Sequence, residues 1–193
     1  MAEGNDDDLR SIARMLEGLL LVSGTPVVLS VLADAVGVPL EVAKSGLDLL
    51  ARSCIEGGRA LRVEEIAGGY VLRTAPDLSE LLSRFVLSES PSGISPAAME
   101  ALAVVAYMQP ISRGQVSEVR GVNSDGVMRL LSERGLIAGD RRKGSVTEPV
   151  LFRTTQLFLE RFGLVNLDSL PPLSEFVPSG EVLEVLEESL RKR

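Results

Sequence analysis

The sequence contains no histidine. Its absence removes the commonest general base, the Ser-His-Asp and Cys-His nucleophile systems, and every imidazole-ligated metal site. A single cysteine excludes an internal disulfide and any Cys-rich zinc or iron–sulfur centre. Tryptophan is missing and aromatic residues make up 4% of the chain, so a core must be built from Leu, Val, Ala and Ile. Neither a G-x-x-x-x-G-K-[ST] loop nor a strand–GxGxxG–helix unit occurs, which removes phosphate-cradling loops. These absences lead to the expectation of a protein that is not an enzyme and holds no cofactor and no metal. No apolar run is long enough to span a bilayer, and the opening MAEGNDDD is acidic where a secretory signal is basic. A cytoplasmic protein without a membrane partner is expected.

What is present is globular. Of 193 residues 45% are apolar and 24% charged, close to the averages for folded domains, and the length suits one or two small ones. The net charge is −7, so global attraction to phosphate does not shape this chain. Residues 1–90 carry 8 basic against 14 acidic groups, whereas residues 110–153 carry 8 basic against 5 acidic. Only the second stretch suits a polyanion.

Periodicity divides the chain into two similar runs. Asp6, Asp7 and Asp8 precede an apolar helix pattern over 9–22, since acids suit the positive end of a helix dipole. A short segment over 29–36 stops at Gly37. A third starts at Pro39, with Leu40, Ala43, Leu47, Leu50 and Cys54 stepping by three and four along one face. The period then drops to two over 61–64, Gly68-Gly69 signals a hairpin turn, and 70–73 returns as the partner strand. A helix over 77–85 follows. After a Ser/Pro-rich linker the order repeats. Ser95-Pro96 opens a helix to Met108, and Ser112-x-x-Gln115 has capping-box spacing and opens a short helix ended by Gly121. Asn123-Ser124-Asp125 opens a third helix, ended by Gly135. Strands are expected over 136–138 and 149–152 around a basic loop, and a helix over 156–162.

Residue pairs carry the same repeat. Pro26 and Pro110, Gly37 and Gly121, Val38 and Val122, and Leu47 and Leu131 share an offset of 84. Leu72-Arg73-Thr74 matches Phe152-Arg153-Thr154 at 80, and Arg84-Phe85 matches Arg161-Phe162 at 77. Three helices followed by a two-stranded hairpin is the winged-helix plan. The expected fold class is therefore mainly α with small β-hairpins (α+β), as tandem winged-helix domains. The N-terminal domain occupies 1–86, the linker 87–94, the C-terminal domain 95–166 and a tail 167–193. In the tail Val182, Leu183, Leu186 and Leu190 make an amphipathic stripe beside Glu181, Glu184 and Glu187.

Each candidate surface has a bland alternative. Leu19, Leu20, Leu21 and Val22 exceed the single stripe that a helix buries in its own domain, which points to self-association; a helix sandwiched between its own neighbours would look the same. Arg141, Arg142 and Lys143 suit a phosphate-gripping wing or a solvated turn. The third helix of the second domain is expected to present Ser124, Asp125, Arg129, Ser132 and Glu133, and its acids oppose base readout. The third helix of the first domain carries Glu41, Lys44, Asp48 and Arg52 at the spacing of a solvated face. Cys54, Tyr107, Phe152 and Phe158 are expected in the cores.

More specific are the segments A-Y-x-Q-P-I-[ST]-R over 106–113, R-G-V-N-S-D over 120–125, T-T-x-x-F-L-x-x-F-G-L over 154–164 and L-P-P-L over 170–173. With them the chain resembles the bacterial segregation and condensation protein B (ScpB) family, sharply over 95–173 and in layout over 1–94. One departure is Thr147-Glu148-Pro149 where the family usually has Gly-Arg-Pro. The resemblance implies a non-enzymatic subunit of tandem winged-helix domains that forms a homodimer through its first domain. That dimer binds the kleisin ScpA, and through it the SMC ATPase, in the condensin that compacts and partitions chromosomes during cell division. It implies a cytoplasmic, nucleoid-associated protein whose own contact with DNA is weak and non-specific. The kleisin contact is expected on the second domain, at Met108, Ile111, Val122, Met128 and Val150, apolar residues not all needed for one core, and at Arg129 beside Met128 on the third helix. The alternative from another class is a winged-helix transcription regulator using the second domain on DNA.

Overall fold

In a computed structural model, which describes residues 3–87, 93–140 and 149–173, the first half begins with α1 (Glu3–Ser23), α2 (Leu29–Val36) and α3 (Leu40–Glu56). Strands β1 (Leu61–Ile66) and β2 (Gly69–Thr74) follow, then a 3-10 turn over Pro76–Leu78 and α4 (Ser79–Leu87). The second half holds α5 (Pro96–Met108), β3 (Ile111–Ser112), α6 (Arg113–Arg120), α7 (Asp125–Glu133), β4 (Ile137–Asp140), β5 (Leu151–Thr154) and α8 (Gln156–Phe162). A 3-10 turn over Leu167–Ser169 ends the described elements. The fold is mainly helical α+β. Residues 1–2, 88–92, 141–148 and 174–193 lie outside the described residues, and with them most of the expected linker, the basic loop and most of the tail.

Local chemistry explains the boundaries. Gly37 closes α2 in the left-handed conformation at φ 77°, its N–H reaching the Ala33 and Asp34 carbonyls. Its counterpart Gly121 closes α6 the same way at φ 68°. Ser95 caps α5 by accepting from the Ala98 N–H. The Ser112–Gln115 capping box is complete: the Ser112 Oγ accepts from the Gln115 N–H at 3.3 Å, and the Gln115 Oε1 accepts from the Ser112 N–H at 3.0 Å. Pro39 is the N-cap of α3 rather than its first helical residue.

The halves repeat one topology. In the first, β1 and β2 pair antiparallel from Leu61↔Thr74 to Ile66↔Gly69, and Val27 forms an isolated bridge with Tyr70. In the second, β4 and β5 pair antiparallel and Ile111 pairs with Phe152 from β3. Val27 and Ile111 stand 84 residues apart, the offset of the sequence repeat. The third strand is therefore part of the repeated plan. Two residues give too short a run for alternation to reveal it.

Each half has its own core. Ile12, Ala13, Leu16 and Leu20 of α1 meet Leu32 of α2 and Leu47, Leu50 and Cys54 of α3. Gly46 permits the close crossing of α1 and α3, because a Cβ there would lie 2.8 Å from Ile12 Cγ2 and 2.9 Å from Leu16 Cδ1. The second core gathers Ala98, Ala101, Leu102 and Val105 of α5 with Val116, Met128, Leu131, Phe152 and Phe158. Beyond α8 the chain continues to pack on this half: Leu170 lies against the core, and the Tyr107 hydroxyl donates to the Pro171 carbonyl at 2.7 Å.

Among the described residues, three hydrogen bonds join the halves through the β1–β2 hairpin. The Ala67 N–H donates to the Leu164 carbonyl at 2.8 Å, and the Gln156 amide donates back to the Ala67 carbonyl at 2.6 Å. Further along, the Arg73 guanidinium donates to the Glu160 carbonyl at 2.9 Å.

Candidate interaction surfaces

The first surface lies on α1. Its inner face is set by Ile12, Ala13, Leu16 and Leu20, one helical stripe turned toward α2 and α3. Outside that stripe stand Met15, Leu19, Leu21 and Val22, with Val22 at 88% and Leu21 at 65% exposure. The four-residue apolar run thus splits. Leu19, Leu21 and Val22 are open to a partner, whereas Leu20 is 1% exposed and belongs to the protomer's own core. The assignment of Leu20 to the self-association contact is corrected, because successive helical residues turn by about 100° and the run must place one member inward. Near the foot of this helix Glu17 and Arg59 form an ion pair, which raises the Arg59 pKa above its usual value.

The second surface involves α6, α7 and the strands beside them. Of the six residues expected to meet a kleisin, two are interior. Ile111 is fully buried because β3 turns it onto the core side of the small sheet, and Met128 is fully buried because it shares the inner face of α7 with Leu131. Neither can touch a partner without opening the fold. Val122 is 55% exposed in the turn between α6 and α7, and Arg129 is exposed on α7. Met108 and Val150 are half-buried and pack against the second core, with Val150 close over Gly139. Arg141, Arg142 and Lys143 lie outside the described residues.

The turn carrying Val122 is held by a polar network that the sequence reading missed. Ser124 was expected to be outward but is fully buried. Its N–H donates to the Ser117 Oγ at 3.0 Å, and its hydroxyl accepts from Arg120 Nη1 at 2.9 Å. Arg120 Nη2 also donates to Glu100 on α5 at 3.1 Å, and the Arg120 side chain is 8% exposed. One arginine thus ties α5, α6 and the start of α7 together, which fixes Val122 and Asn123 at the surface. The signal available was the R-G-V-N-S-D string, in which Arg120 and Ser124 stand four residues apart.

On the first half's third helix, Lys44 donates to Asp48 at 3.0 Å and lies 5.0 Å from the centre of the Tyr70 ring. The bond to Asp48, followed by that to Tyr70, raises the Lys44 pKa, against a smaller opposing effect of burial. Glu41, Asp48 and Arg52 are exposed and Lys44 is half-buried, which agrees with the spacing of a solvated face.

Among the described residues no group of three or more Cys, Asp or Glu side chains could hold a metal, and no helix is long and apolar enough to cross a membrane. What the fold displays is apolar helix surface on two repeated α+β halves, the features of a protein that works by contact with other chains. The chain belongs to the ScpB family, the segregation and condensation complex subunits, whose family model matches residues 14–173. It is 38% identical over 177 residues to the segregation and condensation protein B of Halalkalibacterium halodurans, covering 91% of this chain and 90% of that one. The crystal structure of ScpB from Mycobacterium tuberculosis shares 39% identity over 79% of this chain and 95% of its own, at a TM-score of 0.39. A crystal structure of a dimer of an ScpB N-terminal domain complexed with a ScpA peptide shares 24% identity over 46% of this chain and 98% of its own, also at a TM-score of 0.39.

Proposed function

We propose that the protein is a non-enzymatic accessory subunit of a condensin-like SMC–ScpA–ScpB complex and acts in chromosome condensation and partition. The observation that carries this reading is membership of the ScpB family over residues 14–173. In this reading each half is a winged-helix domain, α2–α3 and α6–α7 being the helix-turn-helix pairs and β1–β2 and β4–β5 the wings. Their bounds are 1–86 and 95–166, and the protein works in the cytoplasm on the nucleoid.

The protein forms a homodimer through α1 of the first domain, with Leu19, Leu21 and Val22 at the contact. That assignment is supported by their exposure beside a core stripe that does not need them. The dimer takes a segment of the kleisin ScpA on the second domain, and reaches the SMC ATPase through it. Val122 and Arg129 are the principal contacts, flanked by Met108 and Val150. The turn offers an apolar anchor on a backbone that Arg120 holds in place, and an apolar stripe of a flexible partner lies into such a surface. Contact with DNA is weak and non-specific, given 27 acidic against 20 basic side chains.

The test pairs two measurements on the full chain and purified ScpA. Val122→Ala with Arg129→Ala should weaken ScpA capture by about tenfold or more while sedimentation still reports a dimer. Leu21→Ser with Val22→Ser should do the reverse, giving a monomer. Unchanged capture by the first variant would move the ScpA contact to the N-terminal domain.

A further inference from the structure

One edge of the first half's hairpin is open. The Ala75 N–H donates to the Ala60 carbonyl at 2.8 Å, and Tyr70 exchanges both of its backbone bonds with Val27. Alternation along the antiparallel register then turns the N–H and C=O groups of Arg62, Glu64 and Ile66 toward β2, and those of Leu61, Val63 and Glu65 away from it. Among the described residues no strand lies on that outer side, whereas Val27 covers the outer edge of β2. β1 is also longer than its equivalent in the second half. It runs six residues without Gly or Pro, against four in β4 with Gly139 inside. An uncovered edge of this kind is a template for another strand.

The side chains specify which strand. Arg62 and Glu64 share the face turned away from the first core, against which Val63 packs. Glu64 is half-buried, and its carboxylate makes no hydrogen bond or ion pair to a described residue. The Arg62 Nη1 donates to the carbonyls of Cys54, Arg59 and Leu61, which holds the guanidinium at this edge, while Nη2 and Nε make no bond to a described residue. We propose that β1 pairs antiparallel with β1 of a second copy, centred on Val63. Val63 then exchanges both bonds with its counterpart, and Leu61 does so with Glu65. Arg62 faces Glu64 at the two positions without hydrogen bonds, where side chains approach most closely. Sliding by one bonding step in either direction sets Arg62 against Arg62 or Glu64 against Glu64, so charge fixes the register. The contact uses none of Leu19, Leu21 and Val22, so it joins dimers to one another rather than replacing the dimer proposed above.

The test follows association of the full chain by sedimentation over a range of concentrations, in the background Leu21→Ser plus Val22→Ser so that α1 does not contribute. Glu64→Arg should weaken the remaining association by about tenfold, since two attractive pairs become repulsive. Arg62→Glu alone should do the same. An equimolar mixture of the two should restore it, because one edge then carries two cations and the other two anions. Hydrogen exchange on the unsubstituted chain is a second readout that depends on no variant. The Val63 and Glu65 amides should gain protection as concentration rises, whereas those of Arg62 and Glu64 should be protected throughout. Association absent from that background or unchanged by either reversal would overturn the proposal, as would protection of Val63 and Glu65 that ignores concentration. So would protection of these two amides that appears only when purified ScpA is added, which would assign the edge to a strand of that partner.

Discussion

The Ala67 N–H donates to the Leu164 carbonyl at 2.8 Å from a backbone held at φ 54°, in the left-handed region that alanine rarely adopts. Ala67 and Gly68 are the two central residues of the β1–β2 turn, and both have positive φ, as a type I′ hairpin requires. The same alanine accepts from Gln156, so both of its backbone polar groups bridge the two halves. The turn geometry that closes the hairpin also aims it at the segment after α8.

Replacing Ala67 by Gly should remove the left-handed penalty and raise unfolding stability by about 1 kcal/mol, with the bond to Leu164 retained. Ala67→Pro should act in the opposite direction, because proline cannot adopt this φ and has no N–H to donate. Urea unfolding of the two variants checks both signs.

Among the described residues the halves meet through few groups, so their docking should be separable from their folding. Arg73→Ala combined with Gln156→Ala removes two of the three bonds seen between them among the described residues. Solution scattering should show a wider distribution of shapes, while the thermal midpoint shifts little, since exposed hydrogen bonds contribute about 1 kcal/mol or less each.

Much of this molecule was legible because its signals are local. The Ser112–Gln115 box, the Gly37 and Gly121 stops and the Leu47–Leu50–Cys54 stripe depend on residues within a turn or two of each other. The repeat was legible because Gly37 and Gly121 need the same left-handed backbone. Misreadings arose where a distant residue decides. Ser124 resembles an exposed cap until Arg120 and Ser117 close over it. Ile111 resembles a loose apolar residue until Phe152 pairs with it from 41 positions away. The Ala67–Leu164 bond runs between backbone atoms and leaves no trace in side-chain pattern.

Burial separates structural from interface residues in one run. Leu20→Ala should cost about 2–5 kcal/mol of folding stability, as large-to-small changes in a packed core do. Leu21→Ala and Val22→Ala should stay within about 0.5 kcal/mol for the protomer and appear instead in the dimer equilibrium. Chemical unfolding set beside sedimentation distinguishes the two classes.

Arg120 binds Ser124 and Glu100 through different guanidinium nitrogens, a geometry that a point-charge ammonium does not reproduce. Arg120→Lys should therefore destabilise the protein by about 1–3 kcal/mol although the charge is kept. Calorimetry checks this, and a variant as stable as the parent would show that charge alone matters there.

Lys44 sets one alkaline dependence. Its folded pKa is raised above 10.5 by Asp48 first and Tyr70 next. The stabilisation is full below the unfolded value and is lost as pH rises through the higher folded one. The pair is largely exposed, so Lys44→Met should change stability by only a few tenths of a kcal/mol, and only below that range. Unfolding titrations of both proteins from pH 8 to strongly alkaline solution test it.

The central claim is that this chain works as a subunit bound to a kleisin and an SMC ATPase. Its most direct test is native-mass measurement of the full chain captured from its own cells. A dimer of this protein should be recovered with ScpA and, through it, SMC. Recovery with RNA polymerase or a promoter fragment, and without ScpA, would contradict it.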